Sequence, residues 1–189
     1  MGFVFVSGNA ALDFVGTRKW RRSEPEELLV SPRDMEIWAL ESGLVTAPFD
    51  VSAEEFQSLT QLREAIYRTV TSKLNNNEPK AADIRTINAH LMANGPRLQL
   101  VHGQLKREGD GSSLGSILAA SAAELIAGTE QMNLKECGRP DCTRIFIDRS
   151  RSGTRTWCGM EECGNRIKAA NYRSRRKAAA SAPAAPAGV

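Results

Sequence analysis

The chain has 189 residues, 41% of them hydrophobic and 25% charged; this excludes a disordered or fibrous protein and fits one full-sized domain with a small appendage. No apolar run approaches the roughly 20 residues of a membrane-spanning helix. The net charge of +3 is unevenly spread: residues 1–136 carry 14 basic against 18 acidic side chains, and residues 137–177 carry 11 against 4. A basic segment joined to an acidic body suggests a nucleic-acid-binding appendage.

The opening MGFVFVSGNAALDF has no positively charged start, and Asp13 follows its short apolar stretch closely, so no signal peptide is expected. Val6 stands where myristoylation at Gly2 would need Ser or Thr. A cytoplasmic protein is expected, and there paired cysteines are more often metal ligands than disulfides. Asn9 can cap a helix from about Ala10 that carries Leu12, Phe14 and Val15 before a basic end. In SPRDMEIWALESGL, Ser31 caps, Pro32 fits the first helical position and Asp34 completes the start. Ile37, Leu40 and Leu44 follow at helical spacing, and Gly43 stops the helix.

Ser52 and Glu55 form a capping box ahead of an apolar stripe of Phe56, Leu59, Leu62, Ile66, Val70 and Leu74, ended by the Asn75–Asn77 run. Ile84, Ile87 and Leu91 mark the next helix. RLQLVHGQLK alternates around a glycine and predicts a short hairpin, and GSILAASAAELIAG returns to a helix whose small residues permit close packing. Nothing in this body reads as catalytic. His90 is expected on a helix surface, His102 near a turn, and Trp20 and Trp38 in the core; neither GNAAL nor GDGSSLG has the spacing of a phosphate-binding loop.

All four cysteines fall in one stretch, Cys137, Cys142, Cys158 and Cys163, spaced C-x4-C-x15-C-x4-C. Two close pairs on either side of a short chain suit a tetrahedral ion held by two knuckles. Such a site has no open position, so one structural zinc ion is expected, and no enzyme. Iron also fits four thiolates, but a redox role needs a partner the sequence does not show. Between the knuckles TRIFID is expected as one strand, RSRSG as a basic turn and TRTWC as the returning strand. Gly138, Pro140, Gly159 and Gly164 supply tight turns that bring backbone amides near sulfur.

After Cys163, GNRIKAANYRSRRKAAAS favours a helix with a narrow apolar stripe, Ile167 and Ala170, and a broad basic face. Asn165, Arg166, Lys168, Arg173, Arg175 and Arg176 on that face, and Arg149, Arg151 and Arg155 in the turn, are the candidate nucleic-acid contacts. AAASAPAAPAGV reads as a flexible tail. The fold expected is α+β and mainly helical: a helical N-terminal domain with a short β-hairpin over 1–132, a zinc module of two knuckles, hairpin and basic helix over 133–178, and a disordered tail over 179–189.

WCGMEECGNR resembles the CGNR-type zinc finger, whose name-giving motif is here Cys163, Gly164, Asn165 and Arg166. CGRPDCTRIFIDRSRSGTRTWC resembles that family's first knuckle, hairpin and Trp-Cys pair, so the likeness covers about residues 134–177. The resemblance implies zinc on the four cysteines and DNA binding in bacterial regulators. In that family the finger follows a domain called ABATE, associated with stress-induced transcription regulators. ALDFVGTRKWR resembles its opening Leu-Asp-Phe-Val-Asn-Thr pattern and WALESGL its second helix. Gly16 departs from the family's common Asn, which puts a ligand pocket there in question. By this analogy the N-terminal domain is a sensor or regulatory domain whose small-molecule ligand is unknown.

The expected function is a DNA-binding transcription regulator, and a homodimer would suit a palindromic site. The alternatives are an RNA-binding protein and a module that docks an acidic protein partner through the same finger.

Overall fold

The computed structural model describes residues 2–128 and 133–180. Elements run α1 (Ala10–Val15), β1 (Arg18–Lys19), β2 (Glu26–Glu27), α2 (Pro32–Glu41), α3 (Ala53–Leu74), α4 (Ala81–Leu91), β3 (Arg97–Val101), β4 (Gln104–Glu108), α5 (Gly111–Ala127), β5 (Leu134–Glu136), β6 (Ile145–Ile147), a π-helical turn (Met160–Gly164) and α6 (Asn165–Ala180). The strands make three antiparallel pairs, β1 with β2, β3 with β4 and β5 with β6. The protein is thus α+β and mainly helical, as expected.

The helices begin where the capping chemistry places them. Asn9, Ser31 and Ser52 accept from the backbone amides of Leu12, Asp34 and Glu55, and Glu55 reaches back to close its capping box. A box the sequence reading missed, Asp110 with Ser113, starts α5 at Gly111. The α2 helix buries Met35, Trp38 and Ala39 rather than Ile37, which is only half-buried. Leu59, Leu62, Ile66 and Val70 of α3 are buried, and against them packs α5 through Leu114, Leu118, Ala119, Ala122 and Leu125. Each such large apolar side chain contributes roughly 1.5–3 kcal/mol when fully buried. Phe14 of α1 packs against Trp38, with ring centroids 5.0 Å apart and the planes tilted by 44°.

Close packing also decides two residues on the α4–α5 side. A Cβ at Gly115 would collide with His90 Nδ1, so glycine makes room for the ring. His90 is therefore not on a free surface, as the sequence suggested. It is half-buried, its Nε2 lies 3.2 Å from Ser58 Oγ, and burial pushes its pKa down. His102 sits at the β3–β4 turn with φ +49, followed by Gly103 at +77. Two left-handed residues in a two-residue loop suit the right-handed twist of a hairpin.

The packing runs across the boundary expected at residue 132. Strand β6 is buried on both faces: Ile145 and Ile147 join the core of the helical body, while Phe146 between them joins the cysteine cluster. Its partner is β5, which precedes the first knuckle, with Leu134 opposite Ile147 and Glu136 opposite Ile145. The expected returning strand TRTWC forms no strand; its hydrogen bonds go elsewhere, as described below. The basic helix reaches Ala180, two residues into the expected tail; residues 181–189 lie outside the described residues.

Candidate metal centre and nucleic-acid interface

The first knuckle hangs between β5 and β6. Cys137 N donates to Arg144 O at 2.9 Å and Cys142 N to Arg139 O at 2.9 Å, which closes the loop. The second knuckle uses the π-helical turn, where the amides of Cys163 and Gly164 both reach Gly159 O. Both name-giving and flanking glycines have a steric reason. A Cβ at Gly164 would lie 2.7 Å from Met160 Sδ, and one at Gly138 would lie 2.7 Å from Thr156 Cγ2. Gly138 N also donates to Thr156 O at 2.9 Å, so the TRTWC segment serves as a wall for the first knuckle.

All four Sγ atoms lie within 4.8 Å of one another and all four residues are buried. Cys142 and Cys158 sulfurs are 3.9 Å apart, and Cys158 and Cys163 sulfurs 3.7 Å. A tetrahedral zinc with Zn–S near 2.3 Å separates its sulfurs by about 3.8 Å, so the residues fit the ion. The amide of Cys158 points at Cys137 Sγ at 3.4 Å, the expected backbone support for a thiolate. Without a cation the thiols cannot all ionise. Hydrogen bonds from Cys142 and Cys158 hold Cys137 well below a thiol's usual range, and the same bonds push Cys142 up to about 12 and Cys158 up further. A divalent cation replaces those protons, so loading releases them and acid reverses it. The site holds one structural zinc ion.

Charged side chains tie the finger down. Lys135 Nζ donates to Asp148 Oδ2 at 2.7 Å and to Gly153 O at 2.5 Å. Asp148 also takes the amides of Ser150 and Arg155, each at 2.9 Å. The Lys135 ammonium, then Ser150, hold its carboxyl well below the carboxylate range. Arg144 Nη1 donates to Val4 O at 2.9 Å, Arg149 Nη2 to Gly8 O at 3.0 Å, and Ile147 N to Ser7 O at 2.8 Å. From the body, Arg21 N donates to Thr143 Oγ1 at 3.2 Å, and Arg22 pairs with Glu136.

The candidate nucleic-acid contacts divide. Arg155 turns inward: its guanidinium lies 4.3 Å from the Phe146 ring centroid and donates to Val6 O, Trp157 O and Cys158 O. The sequence reading placed it at a nucleic acid because an arginine-rich run shows nothing of the distant carbonyls it meets. Arg149 and Arg151 are exposed in the turn. On α6, Asn165, Arg166, Lys168, Arg173, Arg175 and Arg176 are all exposed, while Ile167 and Ala170 are half-buried, the narrow stripe expected. Arg176 lies 5.9 Å from the exposed Tyr172 ring. Trp38 is core, but Trp20 is only half-buried, with φ +47.

Among the described residues no helix is long and apolar enough to cross a membrane. Residues 133–176, which include all four cysteines, match the CGNR zinc finger. No curated protein matches the chain significantly. Residues 8–129 match ABATE, described as "Putative stress-induced transcription regulator". With most of its length in that match and the finger directly after it, the chain belongs to the ABATE family of regulators and carries a CGNR zinc finger.

Proposed function

We propose that the protein is a cytoplasmic DNA-binding transcription regulator, without catalytic activity, in which the zinc module presents α6 to duplex DNA. The observation that carries this reading is the set of exposed basic side chains on α6, Arg166, Lys168, Arg173, Arg175 and Arg176, on the helix that follows a buried zinc knuckle. The helix is about 24 Å long at 1.5 Å per residue, enough to follow several phosphates along a groove. Arg149 and Arg151 offer a second contact; Asn165 is suited to reach a base edge or to orient the turn. The helical body is the regulatory half, a role taken from its family.

The test is fluorescence anisotropy of zinc-loaded protein with random-sequence duplex DNA over a salt series. Affinity should fall steeply with salt, and replacing Arg173, Arg175 and Arg176 with Ala should flatten the log–log slope by about 2.7. Absence of binding at low salt overturns the DNA reading. Preferential competition by structured RNA would transfer the same surface to RNA, and a salt-insensitive protein partner would transfer it to protein docking.

A further inference from the structure

The seam between body and finger encloses a cavity of about 190 Å³ beside the thiol cluster. Five cationic side chains line it, Arg18 and Lys19 from the body and Arg139, Arg144 and Arg166 from the finger, and its acidic lining is Glu162 with three of the metal-ligating cysteines, Cys142, Cys158 and Cys163. Three of the cations are engaged: Arg18 approaches Glu64 at 3.9 Å, Lys19 approaches Glu26 at 3.8 Å, and Arg144 donates to Val4 O. The guanidinium groups of Arg139 and Arg166 have no hydrogen-bond or ion-pair partner among the described residues. Two guanidiniums without a protein partner beside a partly open cavity of mixed polar and apolar lining leave donors that an anion would satisfy.

The rest of the wall narrows the ligand. Trp20 lines the same cavity, and its backbone is held at φ +47, a region that bulky L-residues disfavour and that is retained where the surroundings enforce it. Its indole supplies a flat apolar surface beside the cations. Gly16 also lines the cavity; a Cβ there would stand 3.3 Å from Arg144 Cζ, so the missing side chain leaves room against that guanidinium. The volume is below the roughly 300–1,000 Å³ of a site for a drug-sized ligand. We propose that this cavity binds a small organic anion, a carboxylate or phosphate on a flat apolar body, through Arg139 and Arg166 with Trp20 alongside.

Calorimetry of the zinc-loaded full chain with benzoate, phenyl phosphate and inorganic phosphate tests it, with benzyl alcohol as the neutral control. One saturable site for benzoate or phenyl phosphate is expected, none for benzyl alcohol, and a higher Tm when the site is filled. Whichever of the two aromatic anions binds more tightly identifies the head group. Arg139→Ala and Arg166→Gln, shown to retain zinc and the wild-type melting profile, should each weaken binding at least tenfold. No saturable heat with any anion overturns the proposal, as does affinity unchanged in both variants; the two guanidiniums then only offset the charge of the zinc-bound thiolates. The assay contains no DNA, so its failure leaves the DNA reading untouched, and failure of DNA binding leaves this site untouched.

Discussion

Hairpins β3–β4 and β5–β6 are both antiparallel pairs with apolar residues, yet they stand in opposite relations to the molecule. The first has five-residue strands and a two-residue turn, and exposes Leu98, Leu100 and Leu105 at 61%, 77% and 43%. The second has three-residue strands, its connection is the metal knuckle, and its strand β6 is buried on both faces. Nearest neighbours specify the first. An ion and two cores specify the second. Strand length and alternation therefore indicate that a hairpin exists, while long-range closure decides how much the fold depends on it.

Removing the metal should break this contrast most visibly. Chelation, or Cys158→Ser, removes a site whose binding energy is about 10–16 kcal/mol in comparable zinc modules. Because Ile145 and Ile147 belong to the body's core, hydrogen exchange should accelerate at β5–β6 and in α1 and α5 together. Exchange confined to the finger, with the body's melting unchanged, would show that the shared core carries no coupling.

Core truncation comes next. Phe146 is fully buried, so Phe146→Ala should cost about 3–5 kcal/mol in urea unfolding of the zinc-loaded protein. Leu100→Ala, on the exposed hairpin, should stay within about 0.5 kcal/mol. Equal losses at the two sites would erase the distinction drawn between the hairpins.

The glycines sharpen it further, since each hairpin needs one for a different reason. Gly103 has open space around its missing Cβ but φ +77, so Gly103→Ala should cost about 1–2 kcal/mol through the backbone alone and Gly103→Asn less. Gly138→Ala meets Thr156 instead and should cost about 1–3 kcal/mol, with Asn no better. Thermal unfolding of the four variants separates the two causes; rescue by Asn at Gly138 would refute the steric account.

Charge produces the smallest effects. Arg97–Glu108 spans the outer hairpin with the arginine 70% exposed, and Arg97→Ala should leave Tm unmoved. Asp148, with no exposed side-chain surface, is clamped by Lys135, so Asp148→Asn should lower Tm. Its folded carboxyl is depressed, so its contribution is fully present above the unfolded value of about 3.9 and is lost only as pH falls through the folded one. The difference in Tm from wild type should thus be constant between pH 8 and pH 5; a difference that fades over that range would contradict the clamp.

The local signals were readable. Ser31, Ser52 with Glu55, and the His102–Gly103 turn each act on residues a few positions away, and each produced the element expected. The cysteine spacing likewise announced its own closure. What escaped was set at a distance. The β6 strand alternates, but with apolar residues on both faces no side reads as outside, and its partner is selected by the knuckle closing over it. Arg144 and Arg155 look like any other cations in a basic run, because their acceptors, Val4 O and Val6 O, lie far back in the sequence. Trp20, expected in the core, is half-buried at the seam, which is assembled from both halves of the chain.

The junction of residues 4–8 with the finger has a consequence in time. Val4 and Arg144 are separated by 140 positions, and Val6 and Arg155 by 149. At a synthesis rate of roughly 5–20 residues per second, the early segment waits about 10–30 s for its partners to leave the ribosome. Contacts of such long range also form slowly once both ends exist. The helical body therefore emerges with the surface meant for Ile145 and Ile147 uncovered until the finger follows it. Until then that apolar surface is open to water and to any chaperone that recognises it.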